Sequence, residues 1–339
     1  MRPRTRVAIV VAAVAAALVP LPASAVERWY SSLVYPHLQR VMTSLSNLAP
    51  VPLFDLLWLA AAAATAVLIF RCVREHGWGR GLAAATGTLA VAAAIAYLAF
   101  LLIWGLNYRR VPLAEKLVVD PPRINPGAAR ELGAASAAAL NRLYAAAHPG
   151  RLAEASLAAT FQRTVAALGG VVPVVPGRPK QTLLGGYFHA VSVSGMTDPF
   201  FLETLLAPDL LDVEQPFVVA HEWAHLAGYA DESEANFVAW LTCRHGDATA
   251  QYSGALEMIG YAPPPRPLRE TLDIGPRIDL LAIQYRYART NRVLRVAARQ
   301  GYDTYLKANR VEKGVESYDA VVQLILGSVL DDNGYPLRR

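Results

Sequence analysis

Apolar positions run almost unbroken in three places near the start of the chain. Residues 7–25, 53–70 and 82–105 are hydrophobic nearly throughout. As helices rising 1.5 Å per residue, the second and third are long enough to cross a hydrocarbon core of about 30 Å. The first follows Arg2, Arg4 and Arg6 and ends Ala23-Ser24-Ala25, the form of either a cleaved signal or a retained anchor. The second carries Asp55 near its mouth and is followed by Arg71, Arg74 and Arg80, and the third closes on the interfacial aromatics Trp104 and Tyr108. Beyond residue 110 the pattern becomes that of a folded domain. Ala/Leu spacing predicts amphipathic helices over 127–148 and 153–168, and short alternating runs predict strands over 171–175 and 188–194. Helical patterns return over 215–244, 276–308 and 318–330. The expectation is a mainly α chain with a small β-sheet: a membrane region over 1–110 and one further domain over 111–339.

Composition supports the membrane reading, because 54% hydrophobic against 17% charged residues is too apolar for an ordinary soluble protein of 339 residues. The formal charge of +5 comes from scattered Arg with no basic, aromatic-interleaved module, so nucleic acid is not an expected partner and the lipid bilayer is. Two cysteines, Cys72 and Cys243, give neither a disulfide framework nor a cysteine zinc site, and both are expected to be packing residues. The basic N-terminus and the short loop holding Arg71, Arg74 and Arg80 are expected on the cytoplasmic side, which puts the 111–339 domain outside. Arg109 and Arg110 oppose that orientation only mildly.

The chemistry concentrates in His221-Glu222-Trp223-Ala224-His225. Residues four apart on a helix share a face, so His221 and His225 can present two imidazoles to one ion, with Glu222 a third of a turn around. Zinc is the expected cofactor, and Glu222 the expected general base acting on a metal-activated water. Gly228 is placed to end this helix and Asp231 to cap a second one, whose acids could supply a third ligand. Glu232 ranks first, because Asn236 one turn later can hydrogen-bond a ligating imidazole from outside the metal shell. Glu234 is the alternative, with a capping-box role beside Asp231 as its ordinary explanation. Asp231 ranks third. Tyr252, Tyr261 and His189 are candidate oxyanion donors, each more simply explained by a structural hydrogen bond. Lys307 and Asn309 are most simply read as capping the end of their helix. The 188–194 strand could take an extended peptide by strand addition.

The Glu232/Asn236 spacing resembles the Glu-x-x-x-Asp helix of gluzincin peptidases, with Asn for Asp, which implies a zincin-like α+β domain. His221 to Asp231 is also similar to a metzincin pattern with Asp for the last His, in which Met258 would stand for the Met-turn. More widely, Trp104-Gly-Leu-Asn-Tyr108, the block from His221 to Phe237, Gln251-Tyr-Ser-Gly254, and Tyr302 to Asn309 followed by Gly314-Val-Glu-Ser-Tyr318 resemble an uncharacterised family of bacterial membrane proteins, a domain of unknown function. The likeness extends from the hydrophobic N-terminus to about Leu330. It implies an inner-membrane, multi-pass protein with an extracytoplasmic HExxH domain, and a basic residue where Asp231 stands. The function expected is a zinc-dependent peptidase or amide hydrolase acting on peptide or cell-envelope substrates. The alternative is a membrane scaffold or sensor with a structural metal.

Overall fold

In the computed structural model the described residues are 2–148, 150–289 and 320–339, with Val296, Gln300 and Thr304 besides. The chain is mainly helical with one small sheet. Helix α1 (Pro3–Leu18) meets α2 (Ala23–Ser46) at a bend of 108°, so the first apolar run is broken and not one straight helix. A π-helical stretch, Val26–Val34, forms part of α2. Helices α3 (Leu53–His76) and α4 (Trp78–Ile103) pack as a hairpin with Gly77 as the only link. At 24 and 26 residues both are long and apolar enough to cross a membrane.

After α4 come α5 (Pro126–Ala147), α6 (Glu154–Ala167), β1 (Pro179–Gln181), α7 (Gly185–Val191), β2 (Gly195–Thr197) and β3 (Thr204–Leu206). They are followed by α8 (Gln215–Leu226), α9 (Glu232–Arg244), α10 (Ala248–Tyr261), α11 (Ile274–Ala288) and α12 (Ala320–Gly327). The sheet order is β1-β3-β2, with β1 parallel and β2 antiparallel to the central β3.

Two expected strands are not there. Residues 171–175 form no strand, and Pro173 and Pro176 deny that segment the amide donors a ladder needs. The alternating 188–194 run lies mostly in helix α7, which stops where Ser192 turns left-handed at φ 62°. The single helical pattern over 215–244 is two helices, α8 and α9. The 276–308 pattern is helical to Ala288; apart from Arg289, Val296, Gln300 and Thr304 its remainder lies outside the described residues, as do Lys307, Asn309 and Tyr318.

One core crosses residue 110 without interruption, running from Val26 and Tyr35 through Trp104 and Trp223 to Ile325. The membrane-proximal segments are therefore built into the folded body. Lys180 of β1 forms a buried ion pair with Glu203 at 2.5 Å and donates to the carbonyl of Ser46 at 2.7 Å, while Glu203 accepts the amide of Phe54 at 3.0 Å. Asp55 accepts from the hydroxyl of Thr182 and the amide of Leu183. These bonds fasten the sheet to the first turn of α3. A smaller cluster, with Leu140, Tyr252 and Leu256, joins α5 to α10. Both cysteines are free, and Cys243 is fully buried.

Candidate functional site

The turn between α8 and α9 is set by local chemistry. Gly228, at φ +83°, lets the amide of Tyr229 reach the carbonyl of Ala224 (3.1 Å) and its own amide that of His225 (2.9 Å), the bond pair that closes a helix C-terminus. A Cβ there would also stand 3.1 Å from the Asn107 Oδ1. Asp231 caps α9 by accepting the amides of Ser233 and Glu234 at 2.9 and 3.3 Å. The hairpin folds α9 back along α8.

Antiparallel packing brings three side chains to one point. The Nε2 atoms of His221 and His225 are 3.1 Å apart, and the Glu232 carboxylate lies 3.3 Å from the first and 3.7 Å from the second. Their potential ligand atoms all fall within 4.8 Å of one another. Each ring is fixed from behind: His221 Nδ1 donates to Asn236 Oδ1 at 2.8 Å, and His225 Nδ1 to the carbonyl of Tyr229 at 2.8 Å. Both Nε2 atoms are thereby turned toward Glu232, the arrangement a metal-ligating imidazole takes when its other nitrogen is held. Two nitrogens on a tetrahedral zinc at ~2.0–2.1 Å stand roughly 3.3 Å apart, so the donor set fits that ion. His221 is the most open of the three side chains, at 15% against 9% for His225 and 7% for Glu232.

Electrostatics tie the trio together. Burial opposes ionisation of Glu232, yet the His225 and His221 imidazoles hold its carboxyl well below the usual carboxylate range. Burial likewise opposes charge on His225, but Glu232 outweighs it and the imidazole is pushed up to about 9. Glu222 is buried, which raises its carboxyl against the pull of both imidazoles. Its Oε2 lies 2.9 Å from the Thr197 hydroxyl, which is also 2.7 Å from the Glu222 carbonyl. Gly195 packs so closely on this side chain that a Cβ would sit 2.7 Å from Glu222 Oε1. Thr197 and Gly195 both belong to β2, one of the sheet's two edge strands.

The other expected residues divide. Glu234 turns away from the imidazoles to accept the amide of Leu113 at 2.5 Å, and burial pushes it up to about 7. That carboxylate does not close a capping box with Asp231. Tyr252 donates to Asp279 at 2.5 Å in the smaller cluster, and His189 pairs with Asp209 at 2.7 Å. Tyr261 bonds to Glu257, and the charge of Glu232 acts on its phenol, which is raised chiefly by burial. Met258 is buried in the main core.

Sequence reasoning missed Thr197, Gly195 and Glu257. The first two come from a strand too short to show a period. Glu257 had a usable signal, lying one helical turn before Tyr261 on the same face.

The carbonyls at the end of α8 are satisfied from the membrane-proximal segments. Trp104 Nε1 donates to His225 O at 3.0 Å, Tyr35 to Leu226 O at 2.9 Å, and Arg110 to Gly228 O at 3.0 Å. A sequence family described as a protein of unknown function (DUF3810) matches residues 30–326, taking in α3, α4 and the whole site. No curated protein and no solved structure matches the chain.

Proposed function

The chain belongs to the DUF3810 family of proteins of unknown function, and we propose that it is a membrane-anchored zinc-dependent peptidase or amide hydrolase. The observation that carries this reading is the convergence of His221 Nε2, His225 Nε2 and the Glu232 carboxylate beside the separate carboxylate of Glu222. Three protein donors leave a fourth position open, as catalytic zinc sites do. A purely structural ion would have no use for Glu222. When bound, zinc supplies Lewis acidity that acidifies a water near neutral pH and polarises a carbonyl.

The residues of the chain do the rest. Glu222 takes the proton of the attacking water and returns it to the leaving amine, with Thr197 holding its Oε2 in place. Desolvation raises the Glu222 carboxyl toward the range where it can both accept and release that proton. Tyr261 is the donor for the developing oxyanion, because the charge of Glu232 acts on its phenol, which would exchange its bond to Glu257 for one to the oxyanion, whereas Tyr252 and His189 are held by Asp279 and Asp209. Strand β2, next to Glu222, offers an edge along which an extended peptide could align. The charge at the α3–α4 hairpin, with Arg71, Arg74 and Arg80, favours the cytoplasmic side for that end and the opposite side for the site. The substrate is then a peptide or cell-envelope amide outside the membrane.

The test is Glu222→Gln in the purified full-length protein. It should keep about one zinc per chain and an unchanged melting temperature, yet lose cleavage of a peptide library read by mass spectrometry. A wild type that binds no zinc, with stability indifferent to chelation, overturns the proposal.

A further inference from the structure

Helix α10 supplies a third wall to the site. Its Ser253 hydroxyl accepts the amide of Phe217 at 3.1 Å, which fixes α10 against the start of α8. Gly254 meets α9 at Cys243, where a Cβ would stand 2.8 Å from the cysteine Cβ. Each helix folds back on the one before, so α10 runs parallel to α8. One turn beyond Phe217 is His221, and one turn beyond Ser253 is Glu257. Two turns back along α9 from Cys243 is Asn236, level with Tyr261. The register therefore sets Glu257 beside His221 and Tyr261 one turn further on. The long-range charges agree with it: His221 acts on Glu257, and Glu232 acts on Tyr261.

Glu257 is exposed as a residue, but partial burial of its carboxyl raises it against the pull of His221 and Arg286; among the described residues no Lys, Arg or His forms an ion pair with it. The nearby guanidinium is committed elsewhere. Arg286 of α11 donates to both oxygens of Glu214, at 3.1 and 2.6 Å, and to Ser194 at 3.0 Å. Tyr261 engages Glu257 from one turn further on, which orients the carboxylate without neutralising it. An oriented carboxylate beside the candidate site, with no ion-pair partner of its own among the described residues, is matched by a cation that arrives with the substrate.

We propose that Glu257 receives a primary ammonium group of the substrate, so that the amide cleaved lies close to a free α-amine or a lysine side chain. This rests on the hydrolase reading and names its substrate class.

Three hydroxamates separate the sources of charge: N-acetyl-norleucine hydroxamate carries no ammonium, N-acetyl-lysine hydroxamate a side-chain ammonium, and norleucine hydroxamate an α-ammonium. Dissociation constants would be measured by calorimetry on the zinc-loaded full-length protein. At least one charged probe should bind about tenfold tighter than the neutral one, as for a charge-assisted hydrogen bond, and which one does identifies the source. Glu257→Gln should bring the three constants together, and Glu257→Asp should retain part of the preference, each read against zinc content in the same sample. Equal binding of all three probes by the wild type, or a preference that survives Glu257→Gln, overturns the inference and leaves the hydrolase reading standing. Failure of all three to bind zinc-loaded protein removes both.

Discussion

Trp104 donates its indole N–H to the backbone carbonyl of His225 at 3.0 Å, so the residue that ends a membrane-length helix also holds the end of the helix bearing the two imidazoles. Helix C-termini leave four carbonyls without helical partners, and here side chains from the membrane-proximal segments answer several of them. Replacing Trp104 by Phe keeps an aromatic ring but removes the donor. The expected loss is about 1 kcal/mol of stability, together with a several-fold weaker zinc affinity as the His225 turn loosens. Thermal unfolding and competition with a fluorescent chelator measure the two. An unchanged zinc affinity would separate the membrane-proximal segments from the site.

Glu232 and Glu234 differ in the direction they face, and variants should show it. Glu232→Ala removes a carboxylate 3.3 Å from His221 Nε2 and should abolish stoichiometric zinc binding. Glu234→Ala removes the partner of the Leu113 amide, which should destabilise the fold by roughly 1–3 kcal/mol while zinc stays bound. Elemental analysis of both variants decides. Zinc lost from Glu234→Ala and kept in Glu232→Ala would reverse the assignment.

The coupling of His225 to Glu232 predicts opposite pH trends with and without metal. In the metal-free protein, His225 is raised from 6.5 to about 9. A cation partner whose folded pKa is raised contributes fully below the unfolded value and loses that contribution as pH climbs through the folded one. Metal-free melting temperature should therefore decline between pH 6.5 and 9. Zinc requires the neutral imidazole, so its stabilising effect should grow across the same interval. Near pH 7 binding should release about one proton, visible as a dependence of the calorimetric heat on the buffer's ionisation enthalpy. Equal heats in buffers of different ionisation enthalpy would exclude the protonated pair.

Orientation is tested at the C-terminus, since the α3–α4 link is too tight to accept an insertion. A phosphatase fused after Arg339 should be active and a fluorescent protein that matures only in the cytoplasm should stay dark. The reverse pair of results would move the site to the cytoplasmic side and discard envelope substrates.

Local chemistry explains which parts were legible in the sequence. The His221/His225 spacing, the stop at Gly228 and the cap at Asp231 depend on neighbours within a few residues, and each stands where the sequence puts it. The preference for Glu232 over Glu234 rested on Asn236, one turn along the same face, which does hold His221. The sheet was misplaced because its strands are three residues long, too short to display alternation, while the alternating run 188–194 begins inside helix α7. Thr197 reaches Glu222 through tertiary packing alone. No pattern within the three residues of β2 announces it, whereas the spacing of Glu257 and Tyr261 marks only a shared face of α10 and not what that face meets.

Gly195 offers the sharpest separation of metal binding from turnover. A methyl group there would stand 2.7 Å from both Glu222 Oε1 and Val218 Cγ1, closer than real side chains approach. The helix carrying Val218 is buried among α9, α10 and the sheet, so the carboxylate is the part able to move. Gly195→Ala should therefore push Glu222 off its Thr197 contact while His221 and His225 keep their positions, held by Asn236 and the Tyr229 carbonyl. Displacing a base by about 1 Å can cost on the order of 100-fold in rate. The expected result is zinc at the wild-type level with hydrolysis reduced that far. Thr197→Val, which removes the hydroxyl but adds no clash, should cost less. Should Gly195→Ala release zinc instead, the strand supports the ligands themselves, and the division of labour between Glu222 and the trio is wrong.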